Sequence, residues 1–173
     1  MPDFEAVRER EAEPSVNEYD EVLSRYRALQ DRAANAQVVF RSKDTPYQKS
    51  RQGRIQFLLL GDREERTVAH WSIFSHDVHT TPDGITTSGQ HRHQGGLALF
   101  ALEGEGYTVV DGVRYDWKAG DLIMLPIKPD GCVHQHFSNK PGASARWVAF
   151  APNVYGEVLG SMFEQVKEGS LVS

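Results

Sequence analysis

Seven histidines occur in the chain, and four of them repeat one spacing: His91-Arg92-His93 and His134-Gln135-His136. The pairs lie about forty residues apart, so neither can complete a metal site alone. In an extended segment alternate side chains share a face, which puts both rings of each pair on one side of its strand. Two such strands side by side aim up to four imidazoles at one volume. Neutral imidazole ligates Fe, Zn, Cu and Ni, so the pattern reads as a metal centre.

The sequence between the pairs supplies the strands this requires. Leu97 to Leu102 reads as a buried strand broken by Gly104 and Gly106, and Tyr107 to Val110 is the next strand. Asp111-Gly112 is a hairpin signal, and Gly120-Asp121 turns the chain into Leu122 to Leu125, which Pro126 ends. This succession resembles the cupin family: a histidine pair, a strand ending in a Gly-rich turn, a GD turn, a proline and a late histidine. His91, His93, Gly104, Gly120, Pro126, Gly131 and His134 match that pattern, over roughly residues 55 to 150. The family's glutamate ligand falls on Leu97. Within cupins the wording HRH, LEGEG, VDG, GD and HxH looks closest to the gentisate-type ring-cleaving dioxygenases. In those enzymes three histidines hold Fe(II) and the glutamate is also missing. They usually carry two cupin domains, whereas 173 residues suffice for one.

The resemblance implies an all-β, jelly-roll barrel with His91, His93 and His134 as ligands of a divalent metal, Fe(II) first, with Zn, Mn and Ni as alternatives. His136 shares the face of His134, so it either replaces it as third ligand or supports a ligand from behind. Three neutral imidazoles leave the ion its full charge and open positions, which an anionic chelating substrate could take. The expected function is a dioxygenase acting on a small aromatic or hydroxy-acid compound. The alternative is a non-oxidative metallocupin, either an isomerase or lyase using the ion as Lewis acid, or a small-molecule binding protein.

Leu97, Leu99 and Ala101 share parity with the histidines unless Gly95-Gly96 introduces a bulge, and Met124, Trp147 and Phe150 read as apolar walls. Arg54 and Arg146 are the candidates to meet a substrate carboxylate, while Arg92 should point away from the site. His70, His76 and His79 read as surface or hydrogen-bonded histidines, and Cys132 as a small buried residue.

Composition narrows the rest. At 39% hydrophobic the chain is globular, and a net charge of −5 gives no reason to expect nucleic acid or an anionic membrane as partner. One cysteine allows no internal disulfide and fits a reducing compartment, no apolar run reaches membrane-spanning length, and no basic-then-apolar leader opens the chain. A cytoplasmic location is expected.

Three regions follow: residues 1–36 as tail and helix, 37–152 as barrel, and 153–173 as C-terminal helix. The first helix, over about 16 to 33, starts at a Ser15/Glu18 capping box and carries the stripe Val16, Tyr19, Leu23, Tyr26. Strand fragments are expected near Val38 to Phe40, at Ile55 to Leu60 and over Thr67 to His79. Val154, Val158, Leu159, Met162, Phe163 and Val166 recur at helical spacing, with Gly169 as stop. Sheet edges must be covered, and the resemblance implies that leading segments pair subunits, so a homodimer is expected.

Overall fold

Short strands that alternate apolar and polar residues cannot bury one face alone, and here they assemble into two antiparallel sheets around a shared core. The structure is a computed structural model describing residues 17–60, 71–81, 84–85, 87–140, 143–152, 156 and 159–169. The first sheet runs β1 (Gln48–Ser50), β2 (Gly53–Leu60), β3 (Trp71–Thr81), β11 (Ser144–Pro152), β6 (Leu97–Glu103) and β9 (Leu122–Leu125), with β4 (Gly84–Ile85) paired to β3. The second runs β12 (Phe163–Lys167), β5 (Gln90–His93), β10 (Cys132–Ser138), β7 (Glu105–Val110) and β8 (Val113–Lys118).

Alternation decides what each strand buries. Leu97, Leu99 and Ala101 on β6 and Ala145, Trp147 and Ala149 on β11 point inward, and Trp117 and Cys132 meet them from the second sheet. Trp147 is 0% exposed and meets Trp117 edge-on at 5.6 Å. Truncating it to Ala would cost about 3–5 kcal/mol. The Asp111-Gly112 signal is realised as a two-residue hairpin turn: both residues have positive φ (48° and 83°) and Val110 pairs with Val113.

Three expectations change at the edges. Helix α1 (Glu18–Ala34) is capped by Asn17, whose side chain accepts the Tyr19 N–H at 3.1 Å; Ser15 and Val16 lie outside the described residues. No described residue of its stripe is fully buried, and Leu23 is half-buried. No strand forms at Val38 to Phe40, where Val38 and Val39 are exposed, and Gln48–Ser50 takes the sheet edge instead.

The expected C-terminal helix is the third correction. Phe163–Lys167 is a strand antiparallel to β5, pairing Phe163 with His93 and Gln165 with His91. Gly160 sits at φ 64°, poor for helix continuation, and the free edge of β5 offers backbone partners that an isolated helical turn lacks. Gly169 is no helix stop: its N–H donates to the Arg51 carbonyl at 2.8 Å. Val154 and Val158 lie outside the described residues. Among the described residues no helix is long and apolar enough to cross a membrane.

Candidate metal centre

Strands β5 and β10 are antiparallel neighbours in a register that sets Cys132 opposite His93 and His134 opposite His91. Both histidines of β5 and the first of β10 therefore enter one space. Gly131, at φ 76°, allows that approach, because a Cβ there would lie 2.9 Å from Arg92 Cγ and 3.2 Å from the His93 backbone. The rings of His91 and His134 lie 4.0 Å apart, those of His93 and His134 4.8 Å, and those of His91 and His93 5.5 Å. One ring nitrogen from each of the three falls within 4.8 Å of the others.

The hydrogen bonds behind the rings leave donor atoms for an ion. His93 donates Nδ1–H to the Gly95 carbonyl at 2.5 Å, and His134 donates Nδ1–H to the Cys132 carbonyl at 3.3 Å. In the neutral ring each then carries its lone pair on Nε2. His134 Nε2 and His91 Nδ1 are buried and meet no protein hydrogen-bond partner. Such orphaned atoms cost about 1–3 kcal/mol each unless something binds them, and a divalent cation fits the donor set.

Electrostatics point the same way. Burial, with the neighbouring His93, lowers His91 from 6.5 to about 3. Burial also lowers His93, and burial with the surrounding imidazoles lowers His134. All three are lone-pair donors at neutral pH, so metal would displace no proton from them.

His136 is placed differently. It lies outside the three-ring cluster, and its Nδ1 is 2.8 Å from Thr108 Oγ1 on β7. That hydroxyl receives the Trp117 Nε1–H at 3.0 Å and has no other described acceptor for its own proton. Thr108 therefore donates to Nδ1, and the neutral His136 ring carries its proton on Nε2. Burial, then the nearby histidines, lowers its pKa well below the ordinary value.

A cavity of about 350 Å³ adjoins the cluster, and His91, His93 and His136 line it. Leu97, Leu99 and Trp147 are in its wall, so the Gly95-Gly96 break preserves the expected parity. Ala101 and Phe150 are not in the wall; Ala101 is core, and Phe150 pairs with Ile73 and Ala98 in the first sheet.

Met124, Arg54 and Arg146 are also absent from the wall. Met124 is 63% exposed on an edge strand. Arg54 pairs with Asp77 and lies over Tyr47, and Arg146 pairs with Glu103. Both arginines sit one residue from an inward position, Ile55 and Trp147, which turns them to the other face. Arg92 points away from the histidines, as expected, and its 2.6 Å contact with Glu164 ties β12 to β5.

Sequence reading passed over Phe163, His76 and Gln52, which also line the cavity. Phe163 is 67% exposed, yet its ring stacks on His93 at 5.9 Å with a 2° interplanar angle and on His91 at 5.4 Å. Its signal was hidden in a helical stripe. His70 lies outside the described residues.

Residues 78–150 match the family model of the cupin domain. A comparison with curated proteins finds no match. Among solved structures the chain is similar to the polyketide cyclase RemF from Streptomyces resistomycificus, with TM-score 0.57 and 17% identity over 75% of this chain and 85% of that one. A Cupin 2 conserved barrel domain protein from Salinispora arenicola CNS-205 matches at TM-score 0.51 and 22% identity, over 66% of this chain and 87% of that one. Salicylate 1,2-dioxygenase from Pseudoaminobacter salicylatoxidans, in an adduct with gentisate, matches at TM-score 0.55 and 14% identity over 81% of this chain. The chain spans 34% of that dioxygenase's length. At these identities the likeness is one of fold.

Proposed function

From a chain that carries a cupin domain and resembles the gentisate-type ring-cleaving dioxygenases, we propose a mononuclear metal-dependent dioxygenase acting on a small aromatic or hydroxy-acid compound. The observation that supports it is the convergence of His91, His93 and His134, with unpartnered buried nitrogens, beside an apolar cavity. These three would hold the ion, Fe(II) in the first instance and Zn, Mn or Ni otherwise. Bound Fe(II) supplies open coordination positions where O2 and a substrate oxygen can meet. The chain's own part is to orient the substrate against Leu97, Leu99 and Trp147, to exclude water, and to offer the Nε2–H of His136 to a substrate oxygen. Phe163, stacked on two of the ligand rings, limits their movement.

The test is metal analysis of protein purified without added metal, followed by O2 uptake with a panel of phenolic compounds. About one iron per chain with substrate-dependent O2 consumption is expected. A metal-replete chain that consumes no O2 with any of them would remove the oxygenase reading.

A second reading, the non-oxidative metallocupin, draws on a different observation. His76 and His136 are neutral, hydrogen-bonded imidazoles in the same cavity, the equipment an isomerase, lyase or cyclase needs to move protons. The cyclase RemF also matches over most of both chains. Turnover without O2 consumption would favour it. For assembly we propose a homodimer, supported by the exposed stripe of α1 and by exposed Phe100, Leu102, Leu122 and Met124 on β6 and β9.

A further inference from the structure

Two cavity histidines lie outside the three-ring cluster, and the bonds behind them fix opposite proton positions. His76 Nε2 is 2.6 Å from the Gln52 carbonyl oxygen. A carbonyl only accepts, so Nε2 carries the proton and the neutral ring leaves a lone pair on Nδ1. His136 is the converse, with its proton on Nε2. Both rings pack on Trp147, at 5.3 Å and 4.9 Å. These two rings therefore offer the cavity one acceptor and one donor around an indole. Among its described lining residues there is no Lys, Arg, Asp or Glu. A carboxylate held there away from the ion would find no countercharge among the described lining residues, and burying an unpaired carboxylate is strongly unfavourable.

Given the metal centre above, we propose that this cavity takes the aromatic and not the hydroxy-acid branch of that reading and selects uncharged, planar, polyhydroxylated aromatic compounds over their carboxylated counterparts, with one substrate hydroxyl donating to Nδ1 of His76. The substrate's apolar ring packs against Leu99 and Trp147, and another of its oxygens receives the His136 Nε2–H. The reading separates His76, as a substrate-contacting residue, from the merely hydrogen-bonded histidine that its position in a strand suggests.

Pyrogallol and gallate test it, because they share three hydroxyls and differ by one carboxylate. Each is titrated calorimetrically under argon into the full chain, as purified and after loading with Fe(II), with metal content measured on the same samples. Pyrogallol is expected to bind at least about tenfold more tightly than gallate. His76→Leu should lose about tenfold in pyrogallol affinity with metal content unchanged, as expected when a buried hydroxyl loses its acceptor. His76→Gln, which can both donate to Gln52 and accept from the ligand, should stay within about threefold of wild type. Equal affinity for the two compounds, binding of neither, or a folded His76→Leu that binds pyrogallol like wild type overturns the inference. Failure of the metal reading shows separately, as a chain that takes up no iron.

Discussion

The two His-x-His pairs have the same spacing and the same parity, yet they meet different fates. On β5, His91 and His93 both enter the cluster. On β10, His134 joins them while His136 is held by a hydroxyl. The cause lies in the cross-strand neighbours. His134 stands opposite His91, whereas His136 stands opposite Thr108 on β7, and its backbone N–H donates to Ser88 Oγ at 2.8 Å. Spacing assigns a side chain to a face; the strand alongside decides what it finds there.

The largest effect that can break this comparison is metal loss. Alanine at His91, His93 or His134 should take bound metal from about one ion per chain to background, measured by elemental analysis after dialysis against a chelator. His136→Ala should cost no more than about 10–100-fold in affinity, the range for a residue acting behind the ligands. Equal losses at His134 and His136 would erase the distinction between them.

Next in size is a pH effect outside the two pairs. Burial, against a smaller opposing contribution from the Gln52 bond, lowers His76 from 6.5 to about 4. Between those values the unfolded chain binds a proton that the fold refuses, so stability falls as pH drops through this window. The loss is complete near pH 4, amounts to roughly 3 kcal/mol, and is absent above pH 7. Urea unfolding of the metal-free chain from pH 7.5 to 4 should show this slope, and His76→Gln should lose that share of it. Parallel curves for the two proteins would contradict the assignment.

Thr108→Val sharpens the contrast from the other side. It strands the Trp117 N–H and His136 Nδ1 in a buried place, at a cost of about 1–3 kcal/mol by chemical denaturation, while bound metal stays at the wild-type level. If metal is lost with it, His136 is coupled to the ion more directly than its position indicates.

The smallest expected change in barrel stability comes from removing everything before Val38. Because no residue of α1 is fully buried, the barrel's unfolding midpoint should shift by less than about 0.5 kcal/mol equivalent. Light scattering on both proteins should show a dimer for the full chain. A monomer at micromolar concentration refutes the dimer, and a dimer that survives truncation places its contact on the barrel face of β6 and β9.

Much of this was legible along the chain because it depends on short-range rules. Period-two alternation named the inward face of β6, and Asp111-Gly112 set a hairpin since few residues other than Asn, Asp and Gly adopt positive φ readily. The paired histidines announced a shared cluster of imidazoles, and the strands at Leu97 to Leu102, Tyr107 to Val110 and Leu122 to Leu125 lie where the pattern put them. The C-terminal segment misled for a physical reason. Met162, Phe163 and Val166 satisfy a helical stripe as well as Phe163 and Gln165 satisfy an alternating one, and an open edge on β5 settles the matter by supplying hydrogen-bond partners.

The sequence by itself therefore determined the barrel, the histidine pairs and the face each pair occupies, because those follow from backbone geometry and local turn chemistry. Only the tertiary structure decided that His134 and not His136 meets the β5 histidines, that His76 and Phe163 reach the same cavity, and that Arg54 and Arg146 do not. Each of these is a meeting between residues far apart in the chain, fixed by register and sheet order, on which one-dimensional spacing carries no information.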